Sequence, residues 1–202
     1  MLRRRNVGDE PVIDVRSIPK SQRHTLILNA YRKLEVDAGL TLINDHEPSP
    51  LKHQMESELG ETLGWEPLAS EDEDVRIRIS KRAATPMPRV LVDANDLAEV
   101  PESSGSVWRL EPQQRDLDAN VIALAPGGEI REHTGPALDV LIHILGGSGT
   151  LETELSTISL APGQIVWLPR LSRRRFLADE ARGLRYLSVH QRKQGLTITS
   201  RS

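Results

Sequence analysis

The sequence predicts two domains of different fold class, an α+β two-layer sandwich over residues 11–80 and an all-β barrel over residues 107–193. In the first domain, short strand-like runs alternate with helix-like apolar spacing in the order β-α-β-α-β-β, which is typical of helices packed on one face of a sheet. In the second, many short apolar runs are separated by glycine turns without any helical periodicity. A segment rich in proline and small residues begins at Lys81, so residues 81–106 are predicted to be a linker.

Each element of the first domain has a local signal. The predicted strands are Val12–Arg16, Leu40–Ile43, Gly64–Leu68 and Val75–Ile79. Ser21 is predicted to cap the first helix, in which Ile27 and Tyr31 are one helical turn apart. Ser49 followed by Pro50 predicts the start of the second helix, because serine is a good capping residue and proline suits the first helical position.

Two motifs in this domain carry a family resemblance. Residues 12–24 read V-I-D-V-R-S-I-P-x3-R-H, and residues 44–51 read N-D-H-E-P-S-P-L. They resemble an uncharacterised domain family related to the TusA/SirA sulfur carriers, which implies the two-layer sandwich. Such carriers hold a reactive cysteine in the loop after the first strand, whereas this chain contains no cysteine. The resemblance therefore implies the fold but excludes persulfide transfer.

Two histidines of the first domain are candidate site residues. His24 lies at the start of the first helix and His46 at the end of the second strand, so both are expected at the same end of the sandwich. With Asp45, they are a candidate site for a small ligand or a metal ion. The alternative is that Asp45 and His46 hydrogen-bond the backbone of their own loop and fix the turn before Pro48.

The second domain has a regular series of strand signals. The predicted strands are Val107–Leu110, Asn120–Leu124, Ala137–Leu145, Gly149–Leu155, Ser156–Leu160, Gln164–Leu168, Arg173–Ala178 and Leu184–His190. Two glycine-led motifs lie among them and resemble the paired motifs of the cupin family. The positions of the first motif are occupied by Gly127, His133, Gly135, Asp139 and Gly146, and those of the second by Gly163, Pro169, Leu171, Arg174 and Ala178. The structural glycines and the proline are retained. The resemblance implies a jelly-roll barrel.

The cupin resemblance also implies where a metal would bind. In metal-binding cupins three histidines and a glutamate converge inside the barrel; here His133 is retained and Asp139 is a shortened equivalent of the glutamate. Gly135 and Arg174 replace two histidines and cannot coordinate a metal. Strand alternation places His143 on the face of Asp139, so one hypothesis is a zinc, iron or manganese site formed by His133, Asp139 and His143.

The other hypothesis for the barrel is a site without metal. Arg174 would pair with Asp139 and neutralise a carboxylate that is otherwise buried alone. Alternation places Arg174 and Phe176 inside the barrel and Arg173 and Arg175 outside. An inward arginine near His133 predicts a small-molecule ligand with a carboxylate or phosphate, bound by Arg174, His133, Asp139 and Phe176.

Composition excludes several classes of function. The formal net charge is -3, so the chain has no general basic field and nucleic-acid binding is not predicted. No run reaches the roughly 20 apolar residues of a membrane span. The basic start, residues 1–5, is followed by polar residues instead of the apolar core of a signal peptide, so a cytoplasmic protein is expected.

Together these observations favour a small-molecule-binding accessory or regulatory protein over an enzyme. The first alternative is a metal-dependent cupin enzyme, an oxygenase or isomerase, that uses a non-standard His/Asp site. The second is a scaffold that docks a partner protein. Because cupin barrels are often dimers, the resemblance also implies a homodimer through the second domain.

Overall fold

The structure, a computed structural model, describes residues 10–70 and 74–192. Most of its regular elements are β-strands, and α-helices occur twice in the described ranges. The chain divides into two compact units, Met1–Arg89 and Val90–Ser202, which are treated separately below. None of the helices in the described part of the chain has both the length and the apolar character that crossing a membrane would require.

The first unit contains a four-stranded sheet and two helices. Its elements are β1 (Val12–Asp14), α1 (Lys20–Arg32), β2 (Gly39–Asn44), α2 (Ser49–Leu59), a 3-10 turn (Gly60–Thr62), β3 (Leu63–Leu68) and β4 (Val75–Lys81). The strand order is β1-β2-β4-β3, with β1 parallel to β2 and the other pairs antiparallel. The parallel β1–β2 pair requires a crossover connection, and α1 provides it.

Both helices begin earlier than predicted. Helix α1 begins at Lys20 directly after Pro19, and α2 begins at Ser49 directly after Pro48, with no side-chain capping bond at either proline. The predicted caps at Ser21 and Ser49 are therefore wrong. Each proline is in a non-helical conformation at the N-cap position, so the helix starts at the following residue and includes the serine.

One apolar core joins the two helices to the sheet. Leu40 and Leu42 of β2 are fully buried, as are Ile77 and Ile79 of β4. The helices contribute Ile27, Tyr31, Leu51 and Met55 to the same cluster. The Tyr31 hydroxyl donates a 2.9 Å hydrogen bond to the Thr62 carbonyl, which satisfies its polar end within the core.

The second unit consists of two antiparallel sheets. Its strands are β5 (Gly105–Arg109), β6 (Leu117–Leu124), β7 (Glu129–Thr134), β8 (Val140–Gly147), β9 (Gly149–Glu152), β10 (Thr157–Leu160), β11 (Ile165–Leu168), β12 (Arg173–Ala178) and β13 (Leu184–Gln191). The sheet orders are β10-β9-β12-β7 and β11-β8-β13-β6-β5. Without β5, which extends one edge, this is the strand order of an eight-stranded jelly roll.

Alternation along the strands fills the jelly roll with apolar side chains. Val140, Ile142 and Ile144 of β8 point inward, and Phe176 stacks on Tyr186 with ring centroids 5.4 Å apart. Aromatic stacking of this kind contributes to stability beyond the burial of apolar area. The interior between these strands is therefore a packed core, and open space lies toward the ends of the strands.

Candidate functional site

Strand β12 carries Arg174, one of the buried charged residues of the second unit. Arg174 is only 6% exposed, and its neighbours Arg173 and Arg175 point outward. The outward arginines form ion pairs with carboxylates, Arg173 with Glu132 and Arg175 with Glu129. Side chains along β12 alternate between the interior and the surface as predicted. The buried arginine is Arg174, and the two surface arginines are paired with glutamates.

Gly135 makes room for the Arg174 side chain. The Gly135 amide donates a 3.0 Å hydrogen bond to the Ser172 carbonyl, which holds the two segments together. A Cβ atom on residue 135 would lie only 2.5–2.7 Å from Nη2, Cζ and Nη1 of Arg174. The guanidinium thus occupies the space above Gly135 that a side chain would otherwise fill. The glycine and the arginine, two departures from the cupin pattern, are complementary in the structure.

Among the described residues, Arg174 has a neutral hydrogen-bond partner and no counter-ion. Its Nη1 donates to the Ser172 hydroxyl at 3.1 Å, and that hydroxyl donates to the Pro169 carbonyl at 2.8 Å. Within residues 10–70 and 74–192, no carboxylate lies within 4.0 Å of its guanidinium. Burial lowers the pKa of Arg174, but a guanidinium remains charged in proteins. Burial likewise raises the pKa of Tyr186 to about 12.

The predicted pair between Arg174 and Asp139 is wrong. Asp139 is exposed and accepts a 2.9 Å hydrogen bond from the backbone N–H of Arg170, whose Nε lies 3.5 Å away. Asp139 immediately precedes Val140, the first inward residue of β8, so its own side chain points away from the interior. The carboxylate therefore stabilises the loop at Arg170 and leaves the buried arginine unpaired.

The predicted inward orientation of His143 is also wrong. His143 does share a face with Asp139 and Leu141, but this is the outer face of β8. There it lies opposite Leu187 of β13 and Ile165 of β11. The physical reason is that three β-branched residues, Val140, Ile142 and Ile144, occupy the other face, and burying them outweighs burying one imidazole.

His133 lies opposite Arg174 in the β7–β12 ladder, at the end of the barrel. Its side chain is exposed, with Nδ1 2.9 Å from the Arg131 carbonyl. The register shifts between Arg174 and Phe176, so Ile130 lies opposite Phe176. Phe176 itself is 2% exposed and belongs to the core, so it does not line an open site.

The residues at the expected metal position do not fit a divalent ion. A guanidinium lies above Gly135, and both Asp139 and His143 face outward. In the part of the chain that the structure describes, no group of three or more His, Cys, Asp or Glu residues could hold a metal. A stable site normally needs three or four such ligands.

An open cleft with a volume of about 400 Å³ lies next to Arg174. Its wall is mostly apolar and includes Trp167, which is 62% exposed, Leu168 and Leu171. The other described residues that line it are Leu151, Thr153, Glu154, Leu155, Ile158, Val166, Pro169, Ser172 and Arg173. The sequence analysis did not predict this apolar lining. The position of Trp167 on the outer face of a four-residue strand could have indicated it.

In the first unit, a smaller cavity of about 180 Å³ brings the predicted histidines together. His24 and His46 both line it, together with Lys20 and Arg23. The remaining described residues around it are Val15, Ile27, Leu42, Asn44, Pro48, Pro50 and Leu51. Asp45 is not part of this lining, but its Oδ1 lies 2.6 Å from Nδ1 of His46.

Arg23 organises the loops around this cavity, which the sequence did not indicate. It is 8% exposed and donates to four oxygens, the carbonyls of Arg16 and Ile18, Oδ1 of Asn44 and Oδ1 of Asp45, at 2.8–3.1 Å. The hydrogen bond from Arg23, followed by that from His46, lowers the pKa of Asp45. Arg23 thereby ties the loop after β1 to the loop after β2.

The first unit is similar to a known family of unassigned function. The model of a family described as an uncharacterized conserved protein (DUF2249) matches residues 12–81. This is about a third of the chain and coincides with β1 through β4. A comparison with the curated proteins found no match.

Several solved structures similar to part of the chain are described as cupins or as a protein with a double-stranded β-helix domain. A cupin superfamily protein from Desulfitobacterium hafniense is 19% identical over 54% of this chain and 94% of that chain, with a TM-score of 0.43. The polyketide cyclase RemF from Streptomyces resistomycificus is 19% identical over 56% and 87%, with a TM-score of 0.42. A double-stranded β-helix protein from Klebsiella pneumoniae is 15% identical over 52% and 90%, with a TM-score of 0.42.

Proposed function

We propose that the second unit binds a small organic anion, a carboxylate with an apolar body, and that the protein is an accessory or regulatory binding protein. The observation that carries the proposal is the unpaired charge of Arg174 beside an open apolar cleft. His133 lies opposite Arg174 in the β7–β12 ladder but is not among the described residues that line the cleft, so it is not assigned to the site. Asp139, which faces away, is left out of it.

The charge of Arg174 favours an anionic ligand. Removing a guanidinium from water costs several kcal/mol unless an anion compensates for it. The hydrogen bond to Ser172 uses Nη1 alone and is to a neutral group. A carboxylate can accept two parallel N–H bonds from a guanidinium, which are about twice as strong as neutral hydrogen bonds. A ligand of this kind supplies the counter-charge that the described residues do not.

The cleft wall favours an apolar body on the same ligand. Leu155, Trp167 and Leu171 present large apolar side chains to solvent. Burying apolar surface is worth about 25 cal/mol per Å². Small-molecule sites commonly combine a mainly hydrophobic wall with a few polar anchors. Arg174 would set the orientation of the ligand, and the wall would add affinity.

The first unit is proposed to be a cysteine-free relative of the TusA/SirA carriers. The order β1-α1-β2-α2-β3-β4 and the single core under both helices support this relationship. Without a cysteine, its function must differ from sulfur transfer.

The test compares two probes that differ in charge. Octanoate should bind the full-length protein in isothermal titration calorimetry, and octanamide should bind at least about tenfold more weakly, because it cannot form a charge-assisted pair. Arg174→Met should abolish the preference for octanoate. Arg175→Met is the matched control, because Arg175 lies on the same strand but pairs with Glu129 and does not line the cleft. Equal affinity for both probes would refute the proposal.

A further inference from the structure

We propose that the cavity of the first unit is a second and independent anion site, for a small oxyanion that carries its own proton, such as hydrogen phosphate or a phosphomonoester. The side chains that would hold it are Lys20, His24 and His46, which line the same cavity of about 180 Å³. The site does not depend on the cleft beside Arg174, because it lies in the other unit.

The two imidazoles are held in the same way. Nδ1 of His24 lies 2.8 Å from Oε1 of Gln54, and Nδ1 of His46 lies 2.6 Å from Oδ1 of Asp45. Both partners are oxygens, so each Nδ1 carries the proton that the bond requires. Nε2 of each ring has no hydrogen-bond partner among the described residues. Each ring is therefore oriented through Nδ1, and its Nε2 is available to a ligand.

A protonated oxyanion matches this set of groups. In a neutral ring held by Nδ1–H, Nε2 is an acceptor, so it can receive a hydrogen bond from a P–OH group. Dihydrogen phosphate has two such groups and can donate to both rings, whereas hydrogen phosphate has one and can donate to a single ring. The unprotonated oxygens of the same phosphate can accept from the Lys20 ammonium. Sulfate has no proton near neutral pH and cannot donate to Nε2. The geometry therefore favours hydrogen phosphate over sulfate.

The charge around the cavity favours an anion over a metal ion. Lys20 and Arg23 are the charged residues among the described lining, and no carboxylate is part of it. The Arg23 charge is compensated by Asp45 at 3.0 Å, whereas Lys20 is exposed and forms no ion pair with the residues that the structure describes. Two imidazoles without a third ligand are too few for a stable metal site, and a nearby ammonium would repel a cation.

The helices add to the same field. Helices α1 and α2 begin at Lys20 and Ser49, and residues of both first turns line the cavity. Neither helix has a side-chain cap or an acidic residue in its first turn. Their positive dipole ends therefore reinforce the attraction of an anion to the side chains.

Arg23 is a positioning residue for this site. It fixes Asn44 and Asp45, and Asn44 Nδ2 donates a 2.7 Å hydrogen bond to the His46 carbonyl. The backbone and the ring of His46 are thus both anchored through residues that Arg23 holds. Arg23 thus positions His46 at the cavity through Asn44 and Asp45, and the Nε2 atom of His46 stays available to the ligand.

The experiment is a titration of the full-length protein with inorganic phosphate, observed through the imidazole signals of its histidines by NMR at constant ionic strength. Saturable shifts are expected for His24 and His46, with sulfate at least about tenfold weaker. Lys20→Gln and the double variant His24→Gln/His46→Gln should each weaken phosphate binding by about tenfold or more. His53→Gln is the matched control, because His53 is an exposed histidine of α2 outside the cavity lining.

A parallel titration with glycerol 3-phosphate, at a pH of about 5.5 where the ester retains its P–OH group, distinguishes the two sources of the same chemistry. Tighter binding of the ester would identify a phosphomonoester as the ligand. An unchanged thermal midpoint for Lys20→Gln separates loss of binding from loss of folding. The proposal is overturned if the His24 and His46 signals respond to Zn²⁺ but not to phosphate. It is equally overturned if sulfate matches phosphate, or if His53→Gln weakens binding as much as the cavity variants do.

Discussion

Replacing Arg174 with methionine should leave the second unit as stable as before or make it more stable. The substitution removes a guanidinium that is 6% exposed and has no counter-ion among the described residues. Methionine is flexible and apolar and follows a similar path into the barrel. The expected result is unusual for a buried charged residue, and it follows from the missing partner.

The magnitude follows from two opposing contributions. Losing the 3.1 Å hydrogen bond to the Ser172 hydroxyl costs about 1 kcal/mol. Relieving the desolvation of an unpaired charge is worth several kcal/mol in a dry interior, but the cleft admits water and reduces this gain. We therefore expect the free energy of unfolding to rise by about 0–2 kcal/mol. If Arg174 were paired with a buried carboxylate, the same variant would instead lose about 3–5 kcal/mol.

Gly135→Ala extends the test into a double-mutant cycle. In the natural protein the new Cβ would lie 2.5–2.7 Å from the guanidinium and must displace it, which breaks the Ser172 hydrogen bond at a cost of about 1 kcal/mol. In the Arg174→Met background the same Cβ meets a side chain that can bend away. Any gain from restricting the unfolded chain at residue 135 is common to both backgrounds and cancels.

The assay is urea denaturation followed by tryptophan fluorescence in a Trp65→Phe background, so that Trp108 and Trp167 report on the second unit. A coupling energy of about 1 kcal/mol between residues 135 and 174 is expected. A loss of about 3 kcal/mol or more in Arg174→Met would contradict the absence of a counter-ion for Arg174. A coupling energy near zero would contradict the close contact between residue 135 and the guanidinium.

Three further predictions follow from other parts of the chain. Because burial raises the pKa of Tyr186 to about 12, its proton is retained in the folded state above pH 10 and lost in the unfolded state, so stability should fall as pH rises from 10 toward 12. In urea melts at pH 9 and 11 this decline should be about 1 kcal/mol smaller in Tyr186→Phe, and an identical decline would contradict the assignment. Arg23→Met should destabilise the first unit by about 2–4 kcal/mol, since four oxygens lose their donor. Arg32→Met on the exposed side of α1 should cost less than about 0.5 kcal/mol, and both are measured by urea melts in which Trp65 is retained and Trp108 and Trp167 are replaced by phenylalanine. Limited trypsin digestion should cut near Arg82 or Arg89 and leave two stable fragments by mass spectrometry, and a chain that resists cleavage there would argue against the predicted linker.

Much of the barrel could be predicted from local sequence, because a jelly roll is built from short strands with a strict period of two. The predicted strands from Asn120 to His190 correspond to β6 and to β8 through β13, whereas β7 (Glu129–Thr134), a mostly polar and exposed strand, was not predicted. Alternation along Arg173–Ala178 correctly placed Arg174 and Phe176 inside. These features depend on neighbours one or two residues away, which the sequence displays directly.

Alternation alone could not say which face of β8 is buried. Asp139, Leu141 and His143 form one set, and Val140, Ile142 and Ile144 form the other. A motif-based expectation put the first set inside. The second set is inside because three large aliphatic side chains gain more from burial than one leucine between two polar residues, and because the facing sheet supplies apolar partners for them.

The contacts that define both candidate sites required the tertiary structure. Arg174 meets Gly135 across the β7–β12 ladder, whose register shift is not visible in either strand alone. Arg23 reaches the loops that follow both strands of a parallel pair, and its role depends on oxygens up to 22 residues away. The sequence by itself determined the strand periods, the inward arginine and the absence of thiol chemistry. Chain folding decided the partners of each charge, because a charge's partners are set by distance in space and by register between strands, which local patterns do not encode.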